Sequence, residues 1–226
     1  MFYTPTSGPE GWRVLLADPE KHWRTGYSAK SLAYCWEEAK GFPRSVRKAL
    51  DESPYTAFHD LKLAAGFPEH KVPFPPMDAR PSQNDLFVLG KGTEGLVSIT
   101  VEGKVSESFD QLVAEWKVPM SPGKNERLEY LCDLLQLERG ALDAVRYQLL
   151  HRTASALIEA DRFSAGHALM LVHSFSQTHQ RFEDYAKFGR LLGVEAEVGG
   201  IHHVGKRGGV ELYLGWVTGE AVYLTR

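Results

Sequence analysis

Alternation with a period of two is sharpest at "LVSITVEGKV", residues 96–105. Val97, Ile99, Val101 and Val105 fall on one side of such a strand, and Ser98, Thr100, Glu102 and Lys104 fall on the other. The apolar run "DLFVLG" at 85–90 precedes it across the loop "KGTEG", and the two runs predict an antiparallel hairpin. "HALMLVHSF" at 167–175 is short and continuously apolar, the pattern of a buried strand. "HKVPFPP" at 70–76 has room only for a short or edge strand, because proline cannot donate to a ladder.

Spacings of three and four predict helices elsewhere. Over Ser28–Lys40, Leu32, Cys35, Trp36 and Ala39 share a face, and Gly41 is a suitable stop. Further helices are expected over Arg44–Glu52, around Ala57–Ala65, through most of Phe109–Ala160 and over Arg181–Leu192. "GVELYLGWV" and "AVYL" form a closing pair of strands. The order helix, hairpin, helices, strand, helix, hairpin implies an α/β layer structure with a central mixed β-sheet flanked by helices.

Composition narrows the function classes. The 226 residues are 43% hydrophobic and 24% charged, which suits one soluble domain with a substantial core. No stretch approaches the roughly 18 to 20 apolar residues of a membrane span. "MFYTPTSGPEGW" lacks the basic start and apolar core of a signal peptide, so a cytoplasmic protein without a membrane partner is expected. The net charge of −3 argues against indiscriminate coating of nucleic acid and leaves room for a local basic groove. Cys35 and Cys132 lack metal-ligand spacing and read as buried reduced thiols.

The chemistry concentrates at the hairpin. Asp85 opens its first strand and Glu102 and Lys104 end its second, so antiparallel pairing brings the three together. Two carboxylates at one point repel unless a cation or protons intervene, and hard oxygen ligands of this kind suit Mg²⁺ or Mn²⁺. On a helix over Ala141–Ala160, Gln148, Arg152, Ser155 and Glu159 form a polar stripe beside the apolar stripe of Leu142, Val145, Leu149 and Ala156. That polar stripe has two readings, a cleft-facing edge or a solvated face with an i, i+4 ion pair.

Asp85 followed across a hairpin by Glu102-Gly103-Lys104 resembles the PD-(D/E)xK nuclease superfamily, whose fold is restriction-endonuclease-like. The family core is a helix, three strands, a helix and a fourth strand. The resemblance implies a core over about 28–175, with a C-terminal extension over about 176–226 that carries an extra β-hairpin. It implies Mg²⁺ or Mn²⁺ held by Asp85 and Glu102, with an acidic residue of the first helix as a further ligand, Glu37 being preferred over Glu38. Lys104 and Gln148 would be catalytic and Arg152 a phosphate contact. Two departures are the Asn84 that stands where proline is frequent and the first core strand, which has no clear candidate in the proline-rich segment before Asp85. "RPSQNDLFVLG", "VEGKV" and "RYQLLHRTASA" also look like an uncharacterised bacterial protein family.

The expected function is divalent-metal-dependent hydrolysis of phosphodiester bonds, in DNA before RNA. The alternative is a non-catalytic binding or interaction protein on the same scaffold, serving a bacterial defence or repair assembly. A homodimer or a protein partner is compatible with either.

Other patterns carry less. His167, His173 and His179 recur at intervals of six, which matches neither a helical turn nor the close ligand pairs of structural zinc, and packing or surface roles are expected. His202, His203, Lys206 and Arg207 surround a glycine-rich tip that reads as a solvated turn before it reads as a phosphate contact. "GKGTEG" lacks the ending and the following helix of a P-loop.

Overall fold

A computed structural model describes residues 8–226, so the first seven residues of the opening segment and of the 1–226 domain lie outside what is described. Two short helices, α1 (Glu10–Arg13) and α2 (Pro19–His22), lead into α3 (Ser28–Ala39) and α4 (Arg44–Asp51). Three strands follow, β1 (Lys62–Val72), β2 (Ser82–Gly92) and β3 (Gly95–Lys104). Then come α5 (Val113–Trp116), α6 (Pro122–Leu135) and α7 (Tyr147–Arg162). The chain continues through β4 (His167–Ser174), α8 (Phe182–Leu191), β5 (Ile201–Arg207) and β6 (Val210–Thr218).

The strands form one open mixed sheet in the order β1-β2-β3-β4-β6-β5. β3, β4 and β6 run parallel to one another, and the remaining pairs are antiparallel. Leu86, Val88, Val97, Ile99 and Val101 pack on one face against Leu32 and Trp36 of α3 and Leu50 of α4. Met170, Val172, Leu212 and Leu214 pack on the other against α6, α7 and α8. The architecture is α/β, with helices on both faces of the sheet. No described helix is long and apolar enough to cross a membrane.

Three expectations change. The helix around Ala57–Ala65 is instead a 3₁₀ turn at Thr56–Phe58 running into β1, an edge strand of 11 residues. As an edge strand β1 tolerates Pro68 without a missing ladder bond, and its irregularity between Leu63 and Ala65 erases the alternation that would have announced it. The helix expected from Ala141 begins at Tyr147. Residues before it spend their backbone on a neighbouring segment, with Val113 N–H donating to Val145 O at 2.9 Å and Tyr147 N–H to Gln111 O at 3.0 Å. "AVYL" is a 3₁₀ turn within Ala221–Thr225, because β6 already has β4 on one side and β5 on the other. The C-terminal hairpin is therefore β5–β6, and it belongs to the main sheet.

α3 ends at Lys40, whose φ of 51° supplies the left-handed turn expected of Gly41. β2 crosses close to Leu61, and a Cβ built on Gly90 would lie 2.9 Å from Leu61 Cγ. Gly90→Ala should therefore cost about 1–3 kcal/mol by overpacking. The same change in a Leu61→Ala background should cost measurably less, so urea midpoints of the four proteins should show non-additivity.

Candidate active site

β2 and β3 pair from Leu86–Val101 to Gly92–Gly95, and beyond that pairing Asp85 and Glu102 face each other. Glu69 of β1 stands next in the row, in a strand segment where Pro68 pairs with Leu86 and His70 with Asn84. Its φ of 52° breaks the regular pleat at that point. Sequence reasoning missed Glu69 because the strand that carries it lacks alternation, and a glutamate beside a proline gives no signal of its own.

Glu102 is 2% exposed and holds two cations. Lys104 Nζ donates to its Oε1 at 2.7 Å, and Arg152 Nε donates to its Oε2 at 2.5 Å. Burial pushes the Glu102 carboxyl up, but Arg152 and Lys104 together overcome this and hold it below the usual range. Lys104 also lies over the Phe109 ring, 5.0 Å from its centroid. Asp85 accepts the Gly103 N–H on Oδ2 at 2.8 Å, and a Cβ at position 103 would meet that oxygen at 3.4 Å and Leu32 at 3.3 Å. The closer of the two is Leu32, so the side chain missing at Gly103 chiefly leaves room for that residue of α3.

α7 brings the remaining groups. Its backbone is fastened to β3 where Ser98 Oγ donates to Ala156 O at 2.7 Å and Thr100 Oγ1 to Arg152 O at 3.0 Å. Arg152 turns towards the sheet, donating to Glu102 and, through Nη1, to Ser82 Oγ at 3.0 Å. His151 Nδ1 lies 2.8 Å from Ser82 Oγ and 3.4 Å from Arg152 Nη1. A guanidinium can only donate, so Nδ1 is the accepting nitrogen and the imidazole proton sits on Nε2. Burial, reinforced by Arg152, holds His151 well below its ordinary value and hence neutral.

Asp85, Glu102, Lys104, Gln148 and Arg152 line one open cleft of about 900 Å³. Glu69 shares its floor, and Lys21, His22, Arg24 and Arg80 contribute basic groups to its lining. Glu37 is not brought there. It accepts the Trp12 indole N–H at 2.8 Å, about 13 Å along α3 from the Ser28 end that borders the cleft. Glu38 pairs with Arg226 at 2.9 Å. Arg152 does not pair with Glu159, which is met by Arg162 at 2.7 Å and His70 at 3.4 Å.

The other candidates lie elsewhere. His173 is buried between Trp36 Nε1 at 3.1 Å and Ser45 Oγ at 3.2 Å, and burial pushes it down to about 3. His167 faces Glu94, and His179 lies 3.3 Å from Thr218 Oγ1. His203 and Lys206 pair with Glu211 on the edge hairpin, and His202 accepts the Glu197 N–H. Arg207 donates to Leu135 O at 2.8 Å. Cys35 and Cys132 are free and buried, and burial raises both thiols.

Among the described residues no three His, Cys, Asp or Glu side chains form a group arranged to hold a metal. The cleft floor is nonetheless short of positive charge. With all groups ionised, Glu69, Asp85 and Glu102 set three negative charges against the two positive charges of Lys104 and Arg152. Burial and then the Glu102 charge push Asp85 up to about 7. Burial and then Asp85 push Glu69 up to about 8, against the Gln83 hydrogen bond of 2.7 Å. Burial first, and the neighbouring carboxylate second, raise the carboxyls of Asp85 and Glu69 into the neutral range, and a divalent ion there would favour their ionised forms. The donor set fits such an ion in charge and hardness, provided Glu102 loosens one of its two present partners.

Because the unfolded chain releases these protons near 3.8 and 4.5, the folded chain holds more protons between about pH 4 and 8. Stability of the metal-free protein should therefore fall as pH rises through that window. Asp85→Asn, which can still accept from Gly103, should flatten the decline and raise the Tm at pH 8 by about 2–4 °C, the shift of ~1 kcal/mol in a domain of this size. Thermal melts of both proteins in chelator across the window check this.

No curated protein and no solved structure matches the chain. A family model described as a domain of unknown function (DUF6946) matches residues 5–221, and the chain belongs to that family.

Proposed function

We propose that the protein is a divalent-metal-dependent phosphodiesterase with a restriction-endonuclease-like core, acting on DNA before RNA. The observation that carries the reading is the convergence of Asp85, Glu102 and Lys104 at the parting ends of β2 and β3, floored with carboxyls and lined by Lys21, Arg24 and Arg80. The element order supports it, since α3, the three strands β1 to β3, α7 and β4 repeat the helix, three strands, helix and strand of that core.

Each group has a role that its environment allows. Asp85 and Glu102 would hold the ion, which would polarise a phosphoryl oxygen and acidify a bound water. Lys104, 5% exposed and bonded to Glu102, would orient the attacking water and offset charge that develops on the phosphoryl group. Gln148 lines the cleft, where its amide N–H would donate to the same water or phosphate. Arg152 acts first as a positioning residue, because its shortest bond goes to Glu102 and not outward.

One observation favours a second reading. Both Glu102 oxygens are already held by cations, an arrangement that suits a scaffold which keeps the cluster for structure and binds a partner without turnover.

A panel of single-stranded DNA, duplex DNA and RNA with Mg²⁺ or Mn²⁺, together with calorimetry for the ion, separates the two. Wild type should bind Mn²⁺ and cleave. Lys104→Ala should keep ion binding and lose cleavage by at least about 100-fold, the size of effect seen when one transition-state donor is removed. Asp85→Ala should lose both. A folded wild type that binds no ion and cuts nothing leaves the scaffold reading standing.

A further inference from the structure

Beside the cleft lies a second recess of about 390 Å³, and Gln83, Gln148 and Arg152 line both spaces. Two charged side chains that the carboxyl cluster does not use line both as well, Arg80 of the β1–β2 connection and Asp110 ahead of α5. Asp85, Glu102 and Lys104 line the cleft alone. Arg80 therefore stands where the cleft gives way to the recess, beyond the carboxyl floor.

The fold fastens Arg80 by its backbone and leaves its side chain free. Arg127 of α6 lays its guanidinium over the Phe74 ring at 4.4 Å and donates to the carbonyls of Phe74, Pro75 and Arg80, the last at 2.8 Å. Just after it in the chain, Ser82 Oγ accepts from Arg152 Nη1 at 3.0 Å. One guanidinium is thus spent on fixing the loop, and the loop carries another that meets no acceptor among the described residues. The neighbouring cations are engaged, Arg152 and Lys104 by Glu102 and Arg127 by the loop. Asp110 accepts from Arg146 on its backbone oxygen at 2.9 Å, and its carboxylate stays unpaired among the described residues. An exposed arginine on a convex surface faces only water, whereas Arg80 borders two connected concave spaces on a backbone already held in place. Binding through such a residue pays little to order the main chain.

We propose that Arg80 grips a second phosphate of a polynucleotide substrate, next to the phosphodiester seated over Asp85, Glu102 and Lys104. The planar fork of a guanidinium matches a phosphate with two parallel N–H bonds. A strand with one phosphate in the cleft carries another to the boundary with the recess, and a contact there fixes the register of the strand over the cluster. The substrate class is then a chain with successive phosphates and not an isolated small diester. Asp110 acts against the same anion, so the two residues have opposite effects on binding. The inference rests on the phosphodiesterase reading for its ligand class and on the placement of Arg80 for its detail.

The test measures binding by the full chain in chelator, where a metal-dependent enzyme cuts nothing. A labelled single-stranded DNA and an abasic strand of the same length are followed by fluorescence anisotropy over a range of salt. Both should bind, since the contact reads phosphate. Arg80→Gln should weaken both about tenfold, the size of one charge-assisted hydrogen bond. It should also lower the slope of log affinity against log salt by about 0.7, the share of one phosphate contact on a single strand. Arg80→Lys should restore the slope, and Asp110→Asn, which suits that residue's φ of 59°, should tighten both strands. Thermal melts establish that each variant folds, and Arg80→Ala carries the same expectation if Arg80→Gln does not. A folded Arg80→Gln that binds both strands with wild-type affinity and slope overturns the proposal, as does a wild type that binds neither. A wild type that binds through Arg80 and cuts nothing once Mg²⁺ or Mn²⁺ is added removes only the phosphodiesterase reading. Metal-dependent cleavage by a protein whose binding ignores Arg80 removes only the second phosphate contact.

Discussion

The carboxylate of Glu102, sealed between Lys104 and Arg152, is the interaction on which the cleft depends. It joins a residue of β3 to a residue of α7 fifty positions later in the chain, inside the protein. Taking such charges out of water is expensive, and the attraction regains this only with close geometry and satisfied hydrogen bonds. Here both carboxylate oxygens are met, and the guanidinium gains Ser82 as a further acceptor. The bond fixes the rotation of α7 about its own axis. That rotation in turn brings Gln148 to the cleft lining beside Arg152.

The polar side of β3 follows from the same arrangement. Ser98 and Thr100 lie deep under the helix and spend their hydroxyls on α7 carbonyls, so no polar group on that side of the strand is stranded. Small residues at Ala156 and Ala160, on the side of the Arg152 and Ala156 carbonyls, let the helix lie close enough for those bonds to form. Nearer the strand end the helix departs, the charged residues replace the hydroxyls, and the space between becomes the cleft. A strand that looked half exposed by its alternation is buried on both faces, and its polar half is matched residue by residue.

That history explains what could be read from the chain. Glu102 and Lys104 were legible because an undistorted strand preserves a period of two, and Arg152 and Gln148 because α7 is regular across both. Their spacing predicted a common face, while the choice between a solvated stripe and a cleft edge needed the sheet opposite. Glu69 was hidden because β1 is irregular near Ala65 and left-handed at Glu69 itself, so neither periodicity marks it. Glu37 was expected only through the resemblance, as the acidic residue of the first helix, and helix length carries it away from the cleft towards Trp12. The start of α7 was misplaced because Leu142 and Val145 serve the core from a 3₁₀ turn at Arg139–Ala141 and the turn that follows it, and burial alone does not distinguish these from an α-helical turn.

The parallel packing of β4 between β3 and β6 has a consequence for how the protein is made. Residue 167 pairs with both Val97 and Glu211, so the middle of the sheet closes only when segments more than forty residues to either side have arrived. During synthesis the Asp85, Glu102 and Arg152 segments leave the ribosome well before β6 does. Through that interval the continuously apolar β4 has one flank unpaired, the condition in which nascent chains associate wrongly. The cleft residues are therefore all made while one flank of β4 still awaits its partner strand β6.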